Sequence, residues 1–245
     1  MRCQPTKAIF ALLLFAGFAS AALADGGGQT LAQTRDRSAR LAQLVSEYPL
    51  LSDDGNRLPN HRVKLAAPID TMPGVVVVAN PQGKTTLVEF YDLNCPYCRM
   101  ASGDIADMVG VDPDLRLVLV PFPVLGIASI SASRVELAVA KLGSPKQFYE
   151  FQRAIYAQRG TTDGIRALEV ARKLGFDEAA VTKLGNSDEI AKIMKAHVAL
   201  GNSLGLAGTP SFVIDGVAIV GYPGRDGLQK IVDASRNCGK VYCRD

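Results

Sequence analysis

The sequence feature that most constrains the fold is a short apolar run that leads into two closely spaced cysteines. Residues 87–91 combine aliphatic, β-branched and aromatic side chains, a composition typical of a buried strand. Cys95 and Cys98 follow, with Pro96 and Tyr97 between them. Pro96 favours the first turn of a helix, because its fixed φ is already helical and its missing N–H would have had no partner there. The pattern predicts a strand followed by a helix whose N-terminus carries two sulfur atoms.

The spacing of the two cysteines gives them different chemical roles. Unpaired N–H groups and the positive end of the helix dipole favour the thiolate form of Cys95, which is therefore the expected nucleophile. Cys98 lies one turn further along the helix, close enough to attack a mixed disulfide formed by Cys95. We expect Cys95 to be the more exposed and more acidic sulfur, and Cys98 to resolve the intermediate.

Glu89 is the charged residue within the apolar run. Alternation along a strand places Glu89 on the same face as Tyr91, so its side chain can point into the core beneath the cysteines. A buried carboxyl group there would have a raised pKa and could exchange protons with Cys98. The alternative is a solvated glutamate on an edge strand, and the alternation alone does not exclude it.

The chain resembles the thioredoxin superfamily and, within it, the bacterial periplasmic DsbA, DsbG and ScsC-like proteins. The resemblance rests on residues 88–92 leading into the two cysteines, on residues 80–84 before the strand, and on residues 208–212 far downstream. It covers about residues 74–236. The implied fold is an α/β thioredoxin-like fold with a DsbA-like helical insertion.

The same resemblance implies an activity and further site residues. The implied activity is protein thiol-disulfide exchange, as an oxidase or an isomerase, without a cofactor. A cis peptide bond is implied before Pro210, and Thr209 and Pro210 are expected to contact substrates together with Pro96 and Tyr97. These residue identities favour an isomerase or reductase over a pure oxidase. The implied partners are exported proteins that contain cysteines and a membrane redox partner that recycles the active-site pair.

The N-terminus is predicted to be a cleavable signal peptide, residues 1–24. Arg2 and Lys7 precede a short apolar stretch, and residues 22–24 form a small-residue cleavage pattern. The apolar stretch is too short for a membrane span of about 20 residues. The alternative interpretation is an uncleaved membrane anchor. Cleavage predicts a periplasmic protein.

Residues 25–60 are predicted to form an N-terminal helical extension. Leu41, Leu44 and Tyr48 recur at helical spacing between charged residues, and Pro49 ends the pattern. Such an apolar stripe must pack against another apolar surface. It either lies on its own domain or makes a homo-oligomer, as N-terminal segments do in ScsC- and DsbG-like proteins.

Residues 61–245 are predicted to form one α/β domain. Strands are expected at residues 75–79, 87–91 and 115–120, and a hairpin around Asp215-Gly216. Between about residues 126 and 206 the periodicity is helical only, which predicts an insertion in the sheet. Its helices are expected to begin at polar capping residues, namely Ser144, Asp163, Asp177 and Ser187. Residues 225–235 are predicted to form a final helix.

Cys238 and Cys243 form a second close pair near the C-terminus. Removal of the signal peptide takes Cys3 with it and leaves four cysteines. In an exported protein, this even number favours a structural disulfide between Cys238 and Cys243, although a second redox pair is the alternative. This pair lacks the preceding strand and helix start that would lower a thiol pKa.

Charge and histidine content restrict the partners. The chain has 27 basic and 24 acidic residues, so the marked basic excess of a nucleic-acid-binding protein is missing from the sequence. Its 2 histidines, His61 and His197, are far apart, which does not support a zinc site at Cys95 and Cys98. A function of another class is nevertheless open, since the same two cysteines could bind Cu(I) in a periplasmic metal-tolerance protein.

Overall fold

The computed structural model describes residues 46–244. The predicted signal peptide and most of the predicted N-terminal helix lie outside these residues. None of the helices in the described part combines the length and hydrophobicity that crossing a membrane requires.

A mixed six-stranded sheet forms the centre of the domain. The strands are β1 (Asn60–Arg62), β2 (Val76–Ala79), β3 (Thr85–Tyr91), β4 (Leu115–Pro121), β5 (Ser211–Ile214) and β6 (Val217–Val220). Their order across the sheet is β1-β6-β5-β3-β4-β2. β3 and β4 pair in parallel, and the other neighbouring pairs are antiparallel.

Seven α-helices surround the sheet in the described part of the chain. They are α1 (Pro96–Val111), α2 (Ile127–Leu142), α3 (Pro145–Tyr156), α4 (Gly164–Lys173), α5 (Glu178–Gly185), α6 (Asp188–Ser203) and α7 (Arg225–Cys238). Each helix from α3 to α6 begins at the capping residue predicted from the sequence, whose side chain accepts a backbone N–H. Because α2 to α6 lie between β4 and β5, the predicted helical insertion is confirmed.

β3 lies at the centre of the sheet, between β4 and β5. Both of its faces are buried, which explains why its sequence is a nearly continuous apolar run. Leu87 and Tyr91 pack in the larger core with helices α1 to α4, whereas Val88 and Phe90 pack in the core on the other face. The parallel pairing of β3 with β4 needs a crossover connection, and α1 supplies it.

The hairpin between β5 and β6 follows the predicted turn. Asp215 and Gly216 both have positive φ, +48° and +69°, as a two-residue type I′ turn requires. This hairpin places residues 209–211 beside β3.

β1 and the segment before it are features that the sequence did not predict. Leu50 and Leu58 are buried in the larger core, and β1 pairs with the free edge of β6. Between them, Asp53 accepts hydrogen bonds from the N–H groups of Asp226 and Gly227, at 3.1 and 2.7 Å. Asp53 therefore caps α7, whose own N-cap residue, Gly224, has no side chain.

Replacing Asp53 by alanine is expected to destabilise the protein by about 1 kcal/mol, because two helix N–H groups lose their acceptor. Urea unfolding at pH 7 measures the change. Asp54→Ala is the matched control, since Asp54 bonds only Ser52 and Asn56 of its own turn within the described residues. Equal losses in the two variants would contradict the capping role.

Candidate active site

Cys95 occupies the N-cap position of α1 and is 4% exposed. Its sulfur accepts a hydrogen bond from the N–H of Cys98 at 3.4 Å, and Pro96 opens the helix. The sequence places it there because the apolar strand β3 ends at Tyr91 and the proline favours a helix start.

The pKa of the Cys95 thiol is lowered to about 6. The largest cause is a hydrogen bond with the Cys98 thiol, and the backbone N–H groups of Cys98 and Tyr97 act in the same direction, whereas burial opposes them. At neutral pH the thiolate therefore predominates by roughly tenfold. This sulfur is ready to attack a disulfide.

Cys98 differs from Cys95 in its environment. It is fully buried, and this burial raises the pKa of its thiol far above the ordinary range. The hydrogen bond to Cys95 and the charges of Glu89 and Cys95 raise the pKa further. Both sulfurs are free thiols in the structure. Cys98 therefore needs a base before it can act as a nucleophile.

Glu89 lies in the core and is 1% exposed. Because β3 is a central strand, the alternative of a solvated glutamate on an edge strand is wrong. Burial raises the pKa of the Glu89 carboxyl to about 8, with a smaller contribution from the charge of Cys95. Its Oε1 atom has no hydrogen-bond partner among the described residues. A group of this pKa can take up and release a proton near neutral pH.

The segment before β5 brings Thr209 and Pro210 to the cysteines. The carbonyl oxygen of Thr209 lies 3.2 Å from the sulfur of Cys95, and the peptide bond between Thr209 and Pro210 is cis. Residues 114 positions apart in the chain are thus in direct contact. Between the cysteines, Pro96 and Tyr97 are exposed.

Asp92 fixes the loop between β3 and α1, a role that sequence reasoning missed. It is fully buried, and its carboxylate accepts the N–H groups of Val124 and Leu125, at 2.9 and 3.0 Å, and the hydroxyl of Ser129 at 2.7 Å. Asn94 extends the connection, because its amide both donates to and accepts from the backbone of Thr162. The cysteine loop is therefore joined directly to the helical insertion.

A second buried acid, Glu136 on α2, lies behind the cysteines and was also missed. It is fully buried and accepts the hydroxyl of Tyr91 at 2.5 Å and that of Ser133 at 3.2 Å. Burial raises the pKa of Glu136 to about 8. Its position within a helical apolar pattern gave no sign that the side chain would face a tyrosine of β3.

Exposed apolar side chains lie on α1 and on the segment that Asp92 joins to the cysteine loop. Tyr97 is 59% exposed in the first turn of α1, and Ile127 is 86% exposed where α2 begins. Val124 and Leu125 are exposed in the loop that Asp92 holds. Such a cluster favours contact with apolar segments of another molecule.

The second cysteine pair lies apart from this arrangement, at the end of α7. Cys238 and Cys243 are joined by a disulfide bond in the structure. Val241, which lies between them, is buried in the larger core. The disulfide therefore closes a short loop whose central residue attaches the tail to the domain.

The comparisons with known proteins agree with this geometry. The model of a family described as the DSBA-like thioredoxin domain matches residues 86–233, more than half of the chain. The chain belongs to the DSBA-like thioredoxin family. DSBA-like proteins are thiol-disulfide oxidoreductases. A search of curated protein sequences gave no significant match.

Several solved structures are similar to this DSBA-like chain. A thioredoxin-like oxidoreductase from Silicibacter pomeroyi DSS-3 is 33% identical, with a TM-score of 0.64 over 70% of this chain and 99% of that one. The thiol-disulfide exchange protein alpha-DsbA2 from Wolbachia pipientis is 26% identical, with a TM-score of 0.59 over 64% and 85% of the two chains. The catalytic domain of Proteus mirabilis ScsC is 25% identical, with a TM-score of 0.60 over 66% and 89%.

Proposed function

We propose that this protein is a periplasmic thiol-disulfide isomerase or reductase that acts through Cys95 and Cys98. The observation that carries the proposal is the pairing of an acidic, N-capping Cys95 with a fully buried Cys98 one turn away. A nucleophile and a resolving thiol are then within reach of one substrate disulfide.

The reaction consists of two exchanges of sulfur bonds. The Cys95 thiolate attacks one sulfur of a substrate disulfide, a Cys95–substrate disulfide forms, and the other substrate sulfur leaves as a thiolate. Cys98 gives its proton to Glu89 and attacks the sulfur of Cys95, which releases the second substrate thiolate. The substrate is thereby reduced by two electrons and the cysteine pair is oxidised. In isomerisation, a thiolate of the substrate itself displaces Cys95 and forms a new substrate disulfide.

The surface around Cys95 suits an unfolded protein segment. Tyr97, Val124, Leu125 and Ile127 present apolar side chains, which favours partners whose hydrophobic residues are exposed. Pro96, Thr209 and Pro210 complete the expected contact surface. The substrates we propose are exported proteins that contain cysteines.

The acidity of Cys95 supports the proposed direction. Its pKa of about 6 lies between the values of about 7 for thioredoxin and about 3.5 for DsbA. Since a more stable thiolate makes a pair more oxidising, this pair should be less oxidising than DsbA. That property suits an enzyme that must both break and form disulfides.

The compartment, the recycling partner and the assembly are parts of the same proposal. The signal peptide predicted at residues 1–24 places the protein in the periplasm, where a membrane redox partner recycles the active-site pair. The helix predicted within residues 25–60 joins copies into a homo-oligomer, which light scattering of the full mature chain tests.

The test of the proposed function is the reduction potential of the Cys95–Cys98 pair together with two activity assays. Equilibration with glutathione buffers should give a potential between about −270 mV, as in thioredoxin, and about −120 mV, as in DsbA. The protein should reduce insulin and reactivate scrambled ribonuclease. A potential near −120 mV without ribonuclease reactivation would assign an oxidase instead, and inactivity in both assays would contradict the proposal.

Copper binding is the alternative from another class. Two free cysteines one helical turn apart offer the soft ligands that Cu(I) prefers. This alternative predicts tight, stoichiometric Cu(I) binding by the reduced protein and no reduction of insulin. Measuring both properties on one preparation separates the two functions.

A further inference from the structure

One face of α3 turns three polar side chains toward the core that contains Glu89. Tyr149, Gln152 and Tyr156 are spaced three and four residues apart, so they lie along one side of the helix. Apolar neighbours on this helix, Phe148 and Phe151, pack in the same core as Leu87 and Tyr91 of β3. Leu87, Glu89 and Tyr91 share one face of that strand. The polar row of α3 and the carboxyl of Glu89 therefore lie in the same layer of the molecule.

Gln152 is unusual for a buried residue. It is 1% exposed, yet neither its amide nitrogen nor its amide oxygen has a hydrogen-bond partner among the described residues. The hydroxyl of Tyr149 and Oε1 of Glu89 are likewise buried and unpaired there. Buried polar groups normally find partners in protein or in ordered water. Three such residues in one layer indicate a site for bound water.

Tyr149 connects this layer with the surface. Its ring is half-buried, with the guanidinium of Arg153 over it at 5.9 Å. Burial is the main cause that raises the pKa of the Tyr149 hydroxyl, Arg153 opposes it, and the charges of Glu89 and Asp107 add smaller contributions. Asp107 is an exposed residue of α1. Tyr149 is half-buried on α3, which packs against α1, so it lies between the core that contains Glu89 and solvent.

The chemistry requires such a connection. When Cys98 attacks the mixed disulfide, its proton passes to Glu89, which is itself 1% exposed. Because the pKa of Glu89 is about 8, its carboxyl is mostly protonated at pH 7 and must release a proton to solvent before it can accept the one from Cys98. A buried carboxyl cannot do so without intermediate groups. Water held by amide and hydroxyl groups conducts protons by passing them along hydrogen bonds.

We propose that Gln152 and Tyr149 are positioning residues that hold a chain of water molecules between Glu89 and solvent. This inference rests on the proposed function. It assigns to the helical insertion a part in proton transfer as well as in shaping the surface. The titratable groups that interact electrostatically with Glu89 are Cys95 and Cys98 of α1, Tyr91 of β3, and Tyr149 and Tyr156 of α3.

The test uses the aromatic disulfide 5,5′-dithiobis(2-nitrobenzoate), which releases a coloured thiolate at each of the two exchanges. Cys95 releases the first thiolate when it attacks the reagent, and Cys98 releases the second when it resolves the mixed disulfide. Stopped-flow absorbance at pH 7 therefore separates the two steps. Gln152→Leu and Tyr149→Phe should slow the second release at least threefold and leave the first unchanged. Both should also show a larger solvent deuterium isotope effect on the second release than the wild type.

Control variants and melting temperatures distinguish an effect on proton transfer from an effect on folding. Tyr242→Phe removes a phenol hydroxyl from the exposed C-terminal tail and should change neither step. Gln152→Leu should melt at or above the wild-type temperature, because it replaces an unpaired buried amide with an apolar group of similar size. If that variant does not fold, Tyr149→Phe, which removes one hydroxyl, decides the question. The reduction potential should stay the same in every variant, since the oxidised and reduced end states are unchanged.

The outcomes separate this inference from the function on which it rests. A second release within threefold of the wild-type rate in the folded variants would overturn the water chain and leave the enzyme proposal intact. A wild-type protein that releases the first thiolate no faster than an ordinary cysteine would instead overturn the proposed function.

Discussion

Replacing Cys95 by serine is expected to abolish thiol-disulfide exchange, with a loss of about a thousandfold or more in insulin reduction. Serine cannot form the sulfur–sulfur bond of the mixed disulfide, and no other free cysteine lies among the described residues except the buried Cys98. The measurement is the initial rate of insulin precipitation with dithiothreitol as the reductant.

Cys98→Ser is the matched variant for this experiment. It keeps the nucleophile but lacks the resolving thiol, so a mixed disulfide with substrate should accumulate and appear on non-reducing gels. Alkylation of Cys95 by iodoacetamide should rise with pH around a midpoint of about 6, because the thiolate is the reactive form. A midpoint near 9, or the same residual activity in both variants, would contradict the assignment of Cys95 as the nucleophile.

Replacing Glu136 by glutamine is expected to stabilise the protein by about 3 kcal/mol at pH 7. The pKa of Glu136 is about 8 in the folded protein, against an ordinary value of 4.5. The folded state therefore holds a proton that the unfolded chain releases between these pH values. The wild type gains full stability from this group below about pH 4.5 and loses it progressively as the pH rises to about 8. Glutamine does not titrate, so the variant avoids that loss.

Urea unfolding at pH 5, 7 and 8 tests the sign and size of this change in the free energy of unfolding. The difference between Glu136→Gln and the wild type should be small at pH 5 and grow toward pH 8. Glu169→Gln, which changes an exposed glutamate on α4, is the control and should show no such dependence. A variant that is less stable than the wild type at pH 8 would show that the bonds to Tyr91 and Ser133 need an ionised carboxylate.

Much of the fold follows from local sequence signals. The strand before Cys95, the capping residues of the insertion and the turn at Asp215 each depend on neighbours within a few positions, and the structure confirms them. β1 could not be found in this way. Its three residues, Asn60 to Arg62, carry no apolar alternation, and they form a strand because the edge of β6 offers hydrogen bonds.

In the candidate site, too, the residues with local sequence signals were predicted and those that depend on distant contacts were not. Sequence placed Cys95, Cys98 and Glu89 on adjacent elements, whereas the contact with Thr209 came from the family resemblance. The burial of Glu136 and Gln152 could not be predicted, because a single polar residue in a helical pattern is normally assigned to the exposed side. α2 is buried on nearly every side, since α3 to α6 and the sheet all pack around it, and its polar residues are buried with it.

The hydrogen bonds of Asp92 and Asn94 affect how substrates would bind under the proposed function. They attach the apolar loop at Val124 and the start of α4 to the same turn that carries the nucleophile. Under the proposed function, a polypeptide that reaches Cys95 thus meets a surface already held in place by hydrogen bonds, and its binding orders few further groups of the protein. Under the function proposed above, the choice of substrate will then depend on how well each polypeptide fits this surface.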